Sequence, residues 1–278
     1  MKVSFLPGVA RKEGTPPRAD NSRARWEVAL SDRTPGKKPS NDLGGPLRVI
    51  ASAILIFLIS QIIAVFIAQL AISVFNPHSH ASLDNSIPGQ FTYILIAEAL
   101  AAYFAIKLVQ RKGLSLSFIG LGRRPKLSDL AKAGIGFAAF WAVLIVLSII
   151  ISNISPDLNN EKQNLGFDNI STGTQNALAF IALVIIPPLG EETLIRGYLY
   201  SGLRKIWRFW PAVAVTSLLF GLAHLEFGSG GPLVWAAALD TFFLSIVLCF
   251  LREKTGALYA GMLVHMLNNL IAFHFAFK

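Results

Sequence analysis

Long apolar runs separated by short polar stretches make up this chain from about residue 47 onward. A helix needs about 20 mostly apolar residues to cross a bilayer, and several of the runs approach or exceed that length. The alternation of apolar and polar residues that is typical of a membrane β-barrel is absent. The pattern therefore predicts an all-α fold, a polytopic transmembrane helix bundle of about seven to eight membrane helices. The predicted spans are 49–75, 91–108, 133–151, 176–204, 211–224, 233–251 and 256–275.

The composition agrees with this pattern and excludes an ordinary soluble domain. Of the 278 residues, 53% are hydrophobic and only 15% are charged, and the mean hydropathy is +0.54. The single cysteine, Cys249, lies in an apolar run, so a disulfide framework is excluded. We expect two parts, a disordered basic cytoplasmic tail at 1–46 and a transmembrane domain at 47–278.

The formal net charge of +9 is a signal of membrane topology rather than of nucleic-acid binding. The basic residues lie in the tail and in alternate loops, which is the distribution expected for cytoplasmic segments. We therefore expect the N-terminus to be cytoplasmic. The tail lacks a signal-peptide core, and no organelle signal is evident, which favours a bacterial inner membrane. The tail is either a plain solvated segment, which we favour, or a contact for anionic lipid headgroups.

Charged residues interrupt the fourth apolar run at Glu191, Glu192 and Arg196. A charge at membrane depth costs about 2.5–3.5 kcal/mol on insertion scales, so such residues are candidates for a functional site. Residues four apart share one face of a helix, and Glu192 and Arg196 can therefore pair. Glu191 is rotated from Glu192 by about 100°. We predict a structural Glu192–Arg196 pair, and a Glu191 side chain that faces a cavity.

Two further runs carry polar residues with the same spacing of four, Phe220 with His224 and His265 with Asn269. With a rise of about 1.5 Å per residue, Glu191 and His224 each lie about 20 Å from the cytoplasmic ends of their helices. His265 and Asn269 lie about 13–20 Å along the last helix. We therefore expect the three helices to bring these groups together in one layer of the membrane.

The residue types in this layer favour hydrolysis by an activated water molecule. A carboxylate in a desolvated pocket can act as a general base, and a neighbouring imidazole can hold the same water. A second imidazole and an amide can donate hydrogen bonds to a developing oxyanion. Such a set needs neither a serine nor a cysteine nucleophile.

The three motifs resemble those of the CPBP family of intramembrane proteases, also called the CAAX protease and bacteriocin-processing or Abi family. The family motifs are E-E-x-x-x-R, F-x-x-x-H and H-x-x-x-N on separate helices, and in this chain they begin at Glu191, Phe220 and His265. The stretch from Leu251 to Tyr259 also looks like the R-x-x-T-G-S-L-W segment of the family. The resemblance covers a core at about 176–275 and leaves out the first three spans and the tail.

The resemblance implies an endopeptidase that acts on a membrane-associated protein or peptide, and a CAAX-prenyl-protease-like activity. It implies that Glu191 and His224 activate water and that His265 and Asn269 form the oxyanion hole. Supporting roles fall to Glu192, Arg196 and Phe220. A site without a cofactor is favoured, because H-E-x-x-H is absent. Zinc is the alternative, and its candidate ligands are Glu191, His224 and His265.

Two other classes of function use the same buried polar residues. One is a non-proteolytic membrane scaffold or immunity-type protein, in which the residues only hold helices together. The other is a proton-coupled transporter, against which the lack of an internal repeat counts. Glu98 and Asp240 also lie in apolar runs and belong to no motif. We interpret both as contacts between helices, and Asp240 also as a candidate supporting residue. The expected partners are a protein or peptide substrate and the lipid bilayer, with no nucleic acid; the oligomeric state is not predicted.

Overall fold

A computed structural model describes residues 43–75, 82–154, 166–167, 170–225 and 235–277. These residues form seven helices and one short 3₁₀ helix, Leu83–Asn85, and contain no strand. The all-α prediction is therefore confirmed for this part of the chain. The tail predicted at 1–46 lies outside the described residues up to residue 42. The helices are α1 (Pro46–Phe75), α2 (Ile87–Arg111), α3 (Leu127–Ile154), α4 (Gly173–Ile206), α5 (Phe209–Ala223), α6 (Trp235–Thr255) and α7 (Tyr259–Ala276).

Several helices begin earlier than the apolar pattern predicts, because polar residues cap them. The α2 helix begins at Ile87 rather than near residue 91, since the Ser86 hydroxyl accepts a hydrogen bond from the N–H of Gly89. The α4 helix begins at Gly173, after a capping box formed by Thr172 and Gln175. Capping residues are polar, and a hydropathy pattern therefore places such helix ends too late.

The start of α3 at Leu127, rather than at residue 133, has a similar cause. The carboxylate of Asp129 accepts a hydrogen bond of 2.9 Å from the N–H of Lys126. The same carboxylate forms an ion pair of 2.6 Å with Arg123 in the preceding loop. A carboxylate in the first turn stabilises a helix, because its negative charge interacts favourably with the unpaired N–H groups at the helix start. These contacts fix the connection between α2 and α3 at its polar end.

Five of the helices in the described part of the chain are long and apolar enough to cross a membrane, namely α1, α2, α3, α4 and α6. The fifth predicted span forms a shorter apolar helix of 15 residues, α5. The seventh forms α7, which has 18 residues and carries His265, Asn268 and Asn269. The polar side chains lower the hydropathy of α7. The protein is an integral membrane protein with these five candidate spans.

The central helix, α4, contains two segments that depart from the α-helical hydrogen-bond pattern. Its segments Ile181–Ile185 and Glu192–Tyr200 are π-helical, whereas the flanking segments are α-helical. Pro187 and Pro188 follow the first π segment and have no N–H to donate. The predicted interruption at these prolines thus occurs within a continuous helix. Because π segments are rare and are often found at functional sites, they single out this part of α4.

The core consists of three apolar clusters, two of which include residues of α4. A first apolar cluster joins α4 to α1, α2 and α5, and a second joins α3, α6 and α7. A third, smaller cluster includes Ile87, Phe167 and Ala179. A hydrogen bond of 2.6 Å between the hydroxyls of Ser52 and Tyr198 ties α1 to α4. Of the helices before residue 173, α1 and α2 therefore pack directly against the helix that carries the candidate site, whereas α3 packs against α6 and α7.

The connection between α6 and α7 is held by buried polar groups. The guanidinium of Arg252, which is 2% exposed, donates to the carbonyl of Phe118 at 2.8 Å. The Thr255 hydroxyl donates to the carbonyl of Ala257 at 2.8 Å, and Gly256 has φ of +66° in this turn. The family-like stretch from Leu251 to Tyr259 thus forms a tight turn, and these contacts fix the orientation of α7.

Candidate active site

The predicted polar groups meet at one cavity of about 390 Å³, which α3, α4, α5, α6 and α7 enclose. All four residues predicted to take part in the chemistry line it, namely Glu191, His224, His265 and Asn269. The prediction that three helices bring these groups together is confirmed. A cavity of this volume is of the size that small-molecule sites use.

The ion pair predicted within α4 is present. The Nη1 of Arg196 donates to Oε1 of Glu192 at 2.8 Å, and both side chains are 0% exposed. The guanidinium also lies over the ring of Phe220, 4.2 Å from its centroid. Arginine cations favour such a position over an aromatic face. The buried charge of Glu192 is thus compensated by a cation that Phe220 holds in place.

Glu191 has a different environment from its neighbour, as its rotation on the helix predicts. Its side chain is 23% exposed and lines the cavity. Its Oε2 makes no hydrogen bond within the described residues and lies 3.7 Å from Nε2 of His265. The Oε2 atom itself is buried against His265, and the exposed part of the Glu191 side chain lines the cavity.

His265 lies between the two carboxylates. Its Nδ1 is 3.1 Å from Oε1 of Glu192. A carboxylate accepts hydrogen bonds, so this contact assigns a proton to Nδ1 and directs Nε2 toward Glu191 and the cavity. Gly261, one turn earlier on α7, makes room for the arrangement, because a Cβ there would lie 3.2 Å from Oε2 of Glu192. Gly261 is a site residue that the motif analysis missed, although its spacing of four from His265 is a signal.

His224 is the C-cap of α5, one residue beyond the helix end, and not within the span as predicted. Its backbone N–H turns to the carbonyl of Gly221 at 3.0 Å, which leaves the carbonyl of Phe220 to accept from Nδ1 of His224 at 2.8 Å. That bond makes Nε2 the unprotonated nitrogen of the neutral ring. No hydrogen bond to Nε2 occurs in the described part of the chain.

Phe220 supports the site through its ring as well as through its carbonyl. Its centroid lies 4.7 Å from that of His224 and 5.8 Å from that of His265, both in edge-to-face geometry. The guanidinium of Arg196 lies over the face of the same ring. One buried aromatic ring therefore contacts both histidines and the buried arginine, and helps to hold them in position.

Asn269 is held by the interruption in α4. Its Nδ2 donates to the carbonyl of Leu183 at 3.0 Å. In an α-helix that carbonyl would accept from residue 187, and in a π-helix from residue 188, but both are proline. The side-chain amide thus supplies the hydrogen bond that Pro187 and Pro188 cannot, and its second N–H remains for the cavity.

The variant Asn269→Leu is expected to lower the free energy of unfolding by about 1–3 kcal/mol, because the partly buried carbonyl of Leu183 loses its donor. Thermal unfolding in detergent measures this loss. The control is Asn268→Leu, since Asn268 lines the same cavity but makes no hydrogen bond in the described structure. Adding Pro187→Ala to Asn269→Leu restores an N–H at the position that faces Leu183 and should recover part of the loss. Equal effects of the two asparagine variants would contradict the assignment.

A second cavity, of about 550 Å³, lies on the other side of α4 and is formed in part by α1 and α2. Glu191 and His224 line this cavity too, together with Gln61, Tyr93 and Glu98. Glu98 packs against α4 at Gly190, where a Cβ would lie 2.8 Å from the carbonyl oxygen of Glu98. The prediction of a contact between helices at Glu98 is confirmed. Its position beside Glu191 was not predicted, because no motif links α2 to α4.

The described residues contain no group of three or more His, Cys, Asp and Glu side chains arranged to hold a metal ion. Of the candidate zinc ligands, His265 uses Nδ1 for Glu192, and His224 uses Nδ1 for a backbone carbonyl.

The helices and the cavity together define an integral membrane protein with a buried carboxylate–imidazole site. Residues 173–271, from the start of α4 into α7, match the model of the Rce1-like family, described as Type II CAAX prenyl endopeptidase Rce1-like. This match confirms the resemblance to the CPBP intramembrane proteases for this part of the chain, and all three motifs lie within it. It supports a CAAX-protease-like intramembrane endopeptidase as the general class.

One curated relative, from Escherichia coli, carries the name Uncharacterized 24.3 kDa protein. It is 33% identical over 91 residues, which are 32% of this chain and 40% of the relative. The chain thus spans less than half the length of this curated relative. No solved structure matches the chain.

Proposed function

We propose that this chain is an intramembrane endopeptidase of the CAAX-prenyl-protease-like type, and that it cleaves a membrane-associated protein or peptide without a metal. The main support is the position of Glu191, whose partly exposed carboxylate makes no hydrogen bond among the described residues and lines the cavity that His224, His265 and Asn269 also line. A partly buried carboxylate in a membrane helix is costly, and residues of this kind are therefore candidates for a functional site. The family match at 173–271 supports the same class of reaction.

In the proposed reaction, Glu191 takes one proton from a water molecule while the other proton is hydrogen-bonded to the bare Nε2 of His224. The water oxygen forms a bond to the carbonyl carbon of the peptide, and the carbonyl electrons move to its oxygen. When this intermediate collapses, the C–N bond breaks and Glu191 gives its proton to the leaving amine. One water molecule is consumed, and the products are a carboxylic acid and an amine.

His265 and Asn269 are proposed to stabilise the oxyanion. In this step Nε2 of His265 donates to the oxyanion while Nδ1 donates to Oε1 of Glu192, which requires the doubly protonated ring. The second N–H of Asn269 provides another donor from the same helix. Donors that are already oriented before the reaction stabilise such an intermediate without reorganisation. In this account Glu192, Arg196 and Phe220 hold the donors in position.

We further propose that the protein resides in a bacterial inner membrane with its N-terminus in the cytoplasm. The support is the distribution of basic residues, since Arg204, Lys205 and Arg208 follow the membrane part of α4 and Arg252 and Lys254 follow that of α6. Cysteine-substitution labelling of each loop in intact cells tests this topology.

The proposal is tested by cleavage of a quenched prenylated CAAX-type peptide and of a transmembrane peptide library by purified protein in detergent. We expect His224→Ala to lower kcat/KM by about 100-fold or more, because a general catalyst of this kind contributes about 10²–10⁴-fold. His274→Ala, which changes an exposed histidine of α7 outside the cavity, should be indistinguishable from wild type.

The same assay with a chelator tests the absence of a metal. We expect the wild-type rate to be unchanged after chelation and gel filtration. Loss of activity that zinc restores would contradict the metal-free mechanism and would make Glu191, His224 and His265 ligands instead. If the folded wild type cleaves neither substrate, the non-proteolytic scaffold becomes the better account of the buried polar network.

A further inference from the structure

Apart from its two histidines, the cavity of 390 Å³ is lined by acidic and not by basic side chains. Glu191 and Asp240 line it, and no lysine or arginine does so among the described residues. The buried cation Arg196 is already paired with Glu192 beneath the site. Even with His265 doubly protonated, as the proposed reaction requires, the carboxylates of Glu191 and Asp240 leave the cavity anionic. In the low-dielectric part of a membrane such a charge acts on a ligand more strongly than in water.

Asp240 is separate from the groups proposed for the chemistry. It is the sixth residue of α6, on a helix that carries none of the three motifs. Its side chain is exposed to the cavity and forms no hydrogen bond or ion pair with the described residues, including the histidines. The hydroxyl of the next residue, Thr241, donates to the carbonyl of Ala237 at 2.7 Å. It therefore provides no hydrogen bond to the carboxylate of Asp240.

A charge without a protein partner in a membrane helix requires a compensating group from elsewhere. Water in the cavity can hydrate Asp240 in the free protein. A substrate that fills the cavity displaces this water, and then only a cationic or strongly donating group of the substrate replaces the lost interactions. An acidic group would instead meet two like charges.

We propose that Asp240 is a specificity-determining residue, and that it selects substrates with a lysine or arginine close to the scissile bond. The inference rests on the proposed peptidase function. A sphere of 390 Å³ is about 9 Å across, whereas an extended chain advances about 3.3–3.6 Å per residue. A cation that reaches Asp240 therefore lies within about two residues of the bond at Glu191.

The test uses quenched prenylated CAAX-type peptides that are identical except for Lys, Gln or Glu at each of the two positions on either side of the scissile bond. Wild type should prefer Lys over Glu by about tenfold or more in kcat/KM at one of these positions. Asp240→Asn should reduce the preference to less than about threefold, and Asp240→Lys should reverse it. The control is Asp84→Asn, which removes an exposed carboxylate outside both cavities and should keep the preference.

Binding of the same peptides to the Glu191→Gln variant, measured by fluorescence anisotropy, provides a second readout that needs no cleavage. We expect the order Lys, Gln, Glu in affinity, and its loss when Asp240→Asn is added. The inference would be overturned if wild type shows no preference, or if the preference is equal in Asp240→Asn and Asp84→Asn. Neither result would contradict the proposed peptidase function. Failure of cleavage with the expected order of binding would overturn the proposed reaction instead.

Discussion

Glu191→Gln is expected to lower kcat/KM by about 1,000-fold or more, the largest effect of any single change in the site. Glutamine keeps the shape of the side chain but cannot take a proton from water. Because Oε2 of Glu191 makes no hydrogen bond in the described structure, the change breaks none there. The melting temperature should therefore stay close to that of wild type. Initial rates at several substrate concentrations, together with thermal unfolding in detergent, measure both quantities.

The matched control for this variant is Glu98→Gln, which changes a carboxyl group that lines the second cavity beside Glu191. Its rate should fall by less than about tenfold, since Glu98 does not line the cavity that contains His265 and Asn269. Equal losses in the two variants would mean that the rate depends on the charge of the region and not on a base at Glu191.

Arg196→Met is expected to destabilise the protein by about 3–5 kcal/mol and so to prevent accumulation of folded protein. Arg196 and Glu192 are both fully buried and are joined at 2.8 Å. Removing the cation leaves the carboxylate of Glu192 buried, and His265 is then its one remaining partner among the described residues. Fluorescence-detected gel filtration after heating measures the loss without purification.

The double variant Arg196→Met with Glu192→Gln should regain most of the lost stability, because it removes both charges together. It should remain inactive, since His265 then lacks the carboxylate that orients its Nδ1. The control is Arg204→Met, which breaks the partly exposed pair with Glu253 at 3.0 Å and should cost only about 1 kcal/mol. A stable Arg196→Met protein would contradict the role given to this pair.

The sequence predicted the parts of the site that depend on the period of a helix. Four-residue spacing correctly paired Glu192 with Arg196, and the 100° rotation correctly separated Glu191 from that pair. The depths obtained from the rise per residue predicted that Glu191, His224 and His265 meet, and all three line one cavity. These features are local to single helices, and regular geometry is sufficient to derive them.

The features that the sequence did not predict depend on irregular geometry or on contacts between helices. The π segments of α4 were not predicted, and with them the bond from Asn269 to the carbonyl of Leu183. The tightened end of α5, which frees the carbonyl of Phe220 for His224, is also a deviation from the regular helix. A periodic pattern carries no signal for such deviations.

Glu98 illustrates the second limit. Its sequence environment is that of any polar residue in an apolar helix, and only the close packing of α2 on Gly190 brings it beside Glu191. The resemblance to the protease family begins near residue 173 and does not extend to α2. The contribution of the first helices to the site could therefore be found only from the structure.

The most direct test of the hydrolytic site is the analysis of products in heavy-oxygen water. Purified wild type and Glu191→Gln are reconstituted in liposomes with the transmembrane peptide library, and the fragments are analysed by mass spectrometry. Cleavage by wild type, with one heavy oxygen in the new carboxyl group and no fragments from Glu191→Gln, is the predicted result. Intact peptides with folded wild type, or labelled fragments formed equally by both proteins, would contradict a water-activating role for Glu191.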